Sequence, residues 1–476
     1  MISGALLLLI VPLAMAGVVY ILLRWASLSA LLAVGTALAL GVAVILLPLD
    51  QPVHFWGGRE ITLGEAVTFF GRELVVEQVD RWAMAFLFLT SAGIFSLAWR
   101  FVPHSLLFPM GLGLLSLLSG ALLIRPLIYA ALLIEIAAAL SVFALQAEGQ
   151  VPTRGGLRYL TFTTLALPGL LVTHWLLDRY ALMPDETGLL DMAAALLAIS
   201  FALLLGVVPF HTWVPAVAGG GMPLGGSFVL TVANGTVWFL LLDFLQTYPG
   251  FSSHPRFGSA VIGMGLAMVL LGGGLALAQR RLGPLLGYAA LVDNGAALIA
   301  LGTKGRLGLT LVLLSLLVRP FGLVLMAAGL SGLRACNGGA DRFDALRGLG
   351  WKAPWSTAAL VFGALSVAGL PVSAGFVWRW SLCRALSPSS PGSVVLILLA
   401  GAGVIVGIWR VLLVLLARPR LPKDRSVLSK GDSTEGWLTA VVVAMAILGC
   451  IGVGLFPQTI APLAVGLAEA YTFFGP

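Results

Sequence analysis

The sequence predicts an all-α polytopic membrane protein of about 14 transmembrane helices, containing two inverted five-helix repeats with broken helices. Three observations carry this. Hydrophobic residues make up 59% of the 476 positions and charged residues only 10%, against about half and a quarter in a soluble domain, and the mean hydropathy is +1.04. Apolar runs of about 20 residues, the length that crosses hydrocarbon, recur along the chain. Two of them are interrupted by glycine and proline close to charge. A chain of this composition cannot cover its surface in water, which excludes a soluble enzyme, a disordered chain and a disulfide scaffold.

Taken in order, the first runs are 2–23 and 27–48. The first lacks a basic n-region and a small-residue cleavage site, so it reads as a span and not as a signal peptide. The stretch 50–81 is the one loop long enough for structure of its own, and its alternating piece 72–80 predicts a short outer hairpin. Spans follow at 82–101, 105–124, 126–146, 157–177, 189–209, 227–246, 257–278, 283–303 and 307–330. The run 355–386 is too long for one straight crossing and contains Ala368-Gly-Leu-Pro-Val-Ser-Ala-Gly-Phe376, which predicts a break. Runs at 394–417 and 437–456 complete the set.

Charge orients the chain. With the N-terminus outside, the inner loops hold 15 of the 27 Lys and Arg residues and the outer loops 9, the direction that the positive-inside rule prefers. Both termini are therefore expected on the outer side. The formal net charge of +7 then reflects loop topology and gives no reason to expect nucleic acid. The three cysteines, Cys336, Cys383 and Cys450, and the five histidines are scattered. No metal site, cofactor or redox centre of the chain's own is predicted.

The charges left inside spans are the informative ones. They are Arg319, Arg379, Arg410, Glu135 and Asp293, with Asp243 near a span end. Each costs about 2.5–3.5 kcal/mol at mid-bilayer and needs a partner or a wet cavity. Glu135 has no helix neighbour three or four positions away able to pair with it. Asp293 is open to two readings, a functional group or helix–helix glue. Arg379 follows the interruption at Gly369 and Pro371, where proline frees a backbone carbonyl. Pro209 interrupts an earlier span, and His211 beside it reads first as a helix-end cap and second as a proton-relay group.

The two interruptions share a pattern. A span carrying Glu135 lies two before the one ending at Pro209, and a span carrying Asp293 lies two before the one broken near Pro371. Two five-helix units follow, and an odd helix number inverts the second, as in relay-type ion transporters. The organisation is 1–104 for three N-terminal helices with outer loop 50–81, 105–256 and 257–417 for the repeats, and 418–476 for an inner loop, last helix and tail.

Six pieces then meet a known family: Leu203-Leu-Leu-Gly-Val-Val-Pro-Phe-His-Thr-Trp-Val-Pro215, Pro284-Leu-Leu-Gly-Tyr-Ala-Ala-Leu-Val-Asp293, Asp344-Ala-Leu-Arg-Gly-Leu-Gly350, Leu365-Ser-Val-Ala-Gly-Leu-Pro-Val-Ser-Ala-Gly-Phe376, Gly407-Ile-Trp-Arg-Val411 and Gly454-Leu-Phe-Pro457. In order and spacing the chain resembles the antiporter-like membrane subunits of complex I (NADH-quinone oxidoreductase), membrane-bound hydrogenases and Mrp antiporters, and in length it is nearer the N or M/D types. The resemblance implies proton translocation along a buried polar axis in a multi-pass protein of the cell's inner (cytoplasmic) membrane. It implies partners as well: neighbouring antiporter-like and other membrane subunits, a redox arm in other chains, and the lipid bilayer.

By the same resemblance Glu135 matches the glutamate of the family's first half-channel. Arg379 takes the place of a lysine on the broken twelfth helix, Asp293 falls where many members keep histidine, and Arg319 lies near an eleventh-helix lysine or histidine. Two family lysine positions are lost, at Leu204 and Asn234. The first half-channel is therefore expected to be impaired or rewired, as in a divergent paralogue. The alternatives are a Mrp-type or inorganic-carbon uptake subunit, and a non-conducting scaffold.

Overall fold

The computed structural model describes residues 2–49, 51–55, 59–69, 71–126, 128–146, 153–183, 186–418 and 435–474. Asp50 and most of the basic loop after residue 418 lie outside the described residues. Among those described, eleven helices are long and apolar enough to cross a membrane, and three shorter apolar helices, Leu107–Leu123, Ile128–Ala144 and Pro354–Ala368, bring the spans to fourteen. Helices dominate because hydrocarbon offers backbone groups no partner outside the segment itself.

Packing sorts the spans into a shell and a centre. Within the protein, 94% of the apolar stretch is buried in the eighth span (Pro223–Thr247) and in the tenth (Leu282–Gly302), and 89% in the eleventh (Gly305–Cys336). The first (Gly4–Ile21) and fourteenth (Trp437–Leu455) bury 28% and 22%. Shell spans turn Leu and Trp outward, whereas the central three can carry polar side chains. Small residues bring the tenth span against the ninth (Phe257–Ala278): a Cβ on Gly265 would lie 2.5 Å from the Gly295 carbonyl, and one on Gly302 2.9 Å from that of Gly258. Such close backbone approach is how membrane helices associate where no hydrophobic effect drives them.

Side chains close the span ends. Thr153 Oγ1 accepts from Gly156 N at 3.2 Å and caps the sixth span, Arg154–Leu182. Glu77 and Asp80 form a reciprocal capping box at the third, Gln78–Phe101. Glu435 accepts from Trp355 N at 2.7 Å and from the Ser356 hydroxyl, placing an anion at the N-terminus of the twelfth span. Arg81 Nε donates to the Val44 carbonyl at 2.9 Å and its Nη2 to that of Ile45, tying the second and third spans. The expected hairpin pairs Val67–Phe69 with Arg72–Leu74, and the latter strand pairs with Ile124–Arg125. Only the front of the alternating piece 72–80 is strand, because the capping box commits residues 78–80 to helix.

At the opposite end one carboxylate ties three connections. Asp341 accepts from Arg281 Nε at 2.9 Å and Arg334 Nη2 at 2.6 Å, and Arg334 donates onward to the carbonyls of Gly219 and Gly221. Burial alone would raise the Asp341 carboxyl; the hydrogen bonds and charges of Arg334 and then Arg281 outweigh it and hold the group below the usual aspartate range. A depressed folded pKa contributes stability above the ordinary value, and that stability is lost as pH falls through the folded one. Asp341→Asn is expected to lower stability by about 2 kcal/mol at pH 7, the buried-pair penalty discounted because Arg281 is half exposed. Thermal unfolding from pH 7 down to pH 3 should show the two proteins converging in acid; a constant gap would refute this role.

Candidate functional site

The centre of the protein is built on two broken helices and the span between them. The seventh span begins as Thr187–Leu205, is capped by Gly206 in the left-handed region (φ 68°), and resumes as Trp213–Gly220 after a short turn through Phe210–Thr212. The break frees carbonyls in a membrane interior, and side chains take them up. Trp213 Nε1 donates to the Leu203 carbonyl at 3.1 Å and Asn294 Nδ2 to that of Leu205 at 2.9 Å. Asn294 is held in turn by Trp238 Nε1, which donates to its Oδ1 at 2.8 Å.

The twelfth span repeats the device. Pro354–Ala368 ends on Gly369 (φ 76°), and Ala374–Leu386 resumes after Pro371. The Ser373 hydroxyl donates to the Leu370 carbonyl at 2.6 Å, and Gly375 N donates to Ser366 Oγ at 3.2 Å. Arg379 Nη2 donates to the Val367 carbonyl at 2.9 Å. Its stem runs past Gly369, where a Cβ would lie 2.8 Å from that of Arg379.

Between the breaks stands Asp293. Its Oδ2 accepts from Arg319 Nε at 2.7 Å and its Oδ1 from Arg379 Nη2 at 3.3 Å. Arg319 Nη1 reaches on to Asn234 Oδ1 at 2.9 Å. The result is a chain of charge, Asn234–Arg319–Asp293–Arg379, across the eighth, tenth, eleventh and twelfth spans. Asp293, Arg319 and Arg379 are each at least 95% buried. Asn234 thus receives a guanidinium from the eleventh span where the resemblance places a lysine on the eighth. Consecutive residues of one helix point about 100° apart, so Asp293 serves the twelfth-span break while Asn294 serves the seventh.

The other predicted residues stand apart from this cluster. Glu135 is half-buried between the fifth and sixth spans, where Thr164 Oγ1 donates to its Oε1 at 2.6 Å and its Oε2 has no partner. Leu204 is buried with the apolar core. His211 is half-buried in the seventh-span turn, its Nδ1 unpaired. Arg410 donates to the Leu277 carbonyl at 2.6 Å, at the end of the ninth span.

A second polar cluster, which the sequence alone did not assemble, lies at the end of the bundle that carries the 67–74 hairpin. Arg125 Nη2 sits 3.4 Å from buried Asp80, and the Tyr471 hydroxyl donates to Asp243 Oδ1 at 3.0 Å while Asp243 Oδ2 is unpaired. Gln246 holds the tail beside it, accepting from Thr472 N at 2.8 Å. Asp80 counts as a loop acid by hydropathy; the capping pattern Glu77-x-x-Asp80 was the signal that it belongs to a helix.

The sequence and the fold as a whole are shared with known proteins. The family model described as "NADH:quinone oxidoreductase/Mrp antiporter, TM" matches residues 105–405. NADH-quinone oxidoreductase subunit N of Ectopseudomonas mendocina is 29% identical over 286 residues, 58% of this chain and 56% of that one. This chain thus spans little more than half the length of the curated relatives it matches first. Among solved structures, a chain of the Mrp complex from Dietzia sp. DQ12-45-1b superposes with a TM-score of 0.80 at 16% identity, covering 98% of this chain and 97% of that one. A chain of respiratory complex I from Thermus thermophilus gives 0.73 at 18% identity, covering 99% and 100%. The structural likeness speaks to the fold and the model match, over more than half the residues, to descent: the chain belongs to the membrane-embedded NADH:quinone oxidoreductase/Mrp antiporter family.

Proposed function

We propose that this chain is a proton-translocating antiporter-like subunit of a complex I-like or hydrogenase-like membrane assembly, driven by a redox arm in other chains. The observation that carries the reading is the Asn234–Arg319–Asp293–Arg379 chain, anchored on a broken helix and buried where hydrocarbon would otherwise exclude charge. Buried ionisable groups on interrupted helices are where membrane transporters build ion sites. Residues 105–256 and 257–417 form the two inverted units in this reading, each with one break, and both termini face the outer side. Glu135, with one carboxylate oxygen unpaired, serves as the first-unit acid, and the Asp80–Asp243 cluster lies at the outer end of the route.

Arginine keeps its proton where lysine can release it. Arg319 and Arg379 therefore act by field and by moving against Asp293, and the proton itself passes through carboxylates and water. In the reconstituted assembly, Arg379→Ala is expected to slow proton pumping about tenfold, equivalent to about 1.4 kcal/mol of barrier, and Glu135→Gln to lower it as well. Unchanged pumping stoichiometry in both variants would leave the chain as a scaffold.

A further inference from the structure

We infer that the Arg319–Asp293–Arg379 cluster is a binding site for one small monovalent anion of chloride size. Two guanidiniums share one carboxylate here, and among the described residues no other acid forms an ion pair with either. Arginine cannot shed its proton to relieve the imbalance. One positive charge is therefore in excess, in groups at least 95% buried.

The donors agree with the charge count. Asp293 and Asn234 occupy Nε and Nη1 of Arg319, and Asp293 and Val367 share Nη2 of Arg379. Arg319 Nη2, Arg379 Nε and Arg379 Nη1 are buried with no acceptor. Hydrogen-bond donors in that state are rare in folded proteins because nothing replaces their lost hydration. The carbonyl end of Pro354–Ala368 faces Arg379 and contributes about half a negative charge, which leaves the site positive. Cys383, one turn along the helix from Arg379, offers a thiol and no carboxylate.

The same geometry limits the ligand. One excess charge calls for a single negative charge, since a dianion would invert the site. The Trp378 ring lies 4.7 Å from the Arg379 guanidinium, and Gly369 backs the same side chain. A ligand for these donors must reach groups at least 95% buried within the protein, which favours an ion of halide size over the larger, polyhydroxylated gluconate.

The inference does not rest on the proton-pumping proposal, and its test reads binding alone. The full chain is placed in lipid nanodiscs in gluconate buffer, and radiolabelled chloride binding is measured with bromide and gluconate as competitors. The wild type is expected to bind one chloride per chain saturably, displaced by bromide and not by gluconate. Arg379→Gln should weaken binding at least tenfold. Asp293→Asn, which raises the excess charge, should tighten it about tenfold. Should either variant fail to fold, the stoichiometry and competition profile of the wild type decide alone. No saturable binding to the wild type, or unchanged or weaker affinity in a folded Asp293→Asn variant, would overturn the site whatever the chain pumps.

Discussion

Asp293→Ala is expected to be among the most damaging single substitutions in this chain. It removes the one carboxylate that pairs two buried arginines, and stranding a buried charge costs about 3–5 kcal/mol. Thermal unfolding in detergent should register the loss directly, together with abolished transport in the assembly. Asp293→Leu combined with Arg319→Met and Arg379→Met separates the two effects. Replacing a whole buried ion network with apolar residues of similar volume is often neutral or stabilising, so the triple variant should regain stability near the wild type and remain inactive. A triple variant that transported protons would show the cluster to be structural only. Asp293→Ala with wild-type stability would show the pairs to be energetically idle.

Gly375→Ala is the second large effect. The added Cβ would fall on the Ser366 carbonyl across the twelfth-span break, and the clash is backbone against side chain with no flexible end to give way. Overpacking of this kind costs about 1–3 kcal/mol. It would also displace the resumed helix, and Arg379 lies one turn further along it. Loss of the Asp293 contact, and with it transport, should accompany the loss of stability. Gly274→Ala is the control: its Cβ would meet nothing within 4 Å, and a helical glycine gains about 0.5–1 kcal/mol as alanine. Equal effects from both substitutions would contradict the break geometry.

How much of this was legible beforehand follows from the range of each interaction. Fourteen spans were visible because a twenty-residue apolar run is a local property. Ends were less so: the third span starts at Gln78 and not at residue 82, since its charged first turn looks like a loop to hydropathy. The sixth runs on to Leu182, five residues past the expected end. Arg319, Arg379, Asp293 and Glu135 stood out because a charge in hydrocarbon is costly wherever it sits. Their partners did not. Asp293 meets Arg319 across 26 residues and Arg379 across 86, and no periodicity reports contacts of that separation.

Asn234 and Asn294 show the difference most sharply. From sequence, Asn234 was a position that had lost a lysine and Asn294 a neighbour of Asp293. In the structure the first accepts from Arg319, and the second caps the seventh-span break from 89 residues away.

The sequence by itself determined that this chain lives in a membrane, where its helices lie and which few residues carry charge among them. Burial of apolar length and the price of charge in hydrocarbon act residue by residue and leave their mark locally. Only the tertiary structure decided that Arg319, Asp293 and Arg379 form one positive cluster while Glu135 and Arg410 stand apart. A carboxylate chooses its partner by ångström-scale approach, and that approach is set by how glycine-lined helices far apart in the chain pack together.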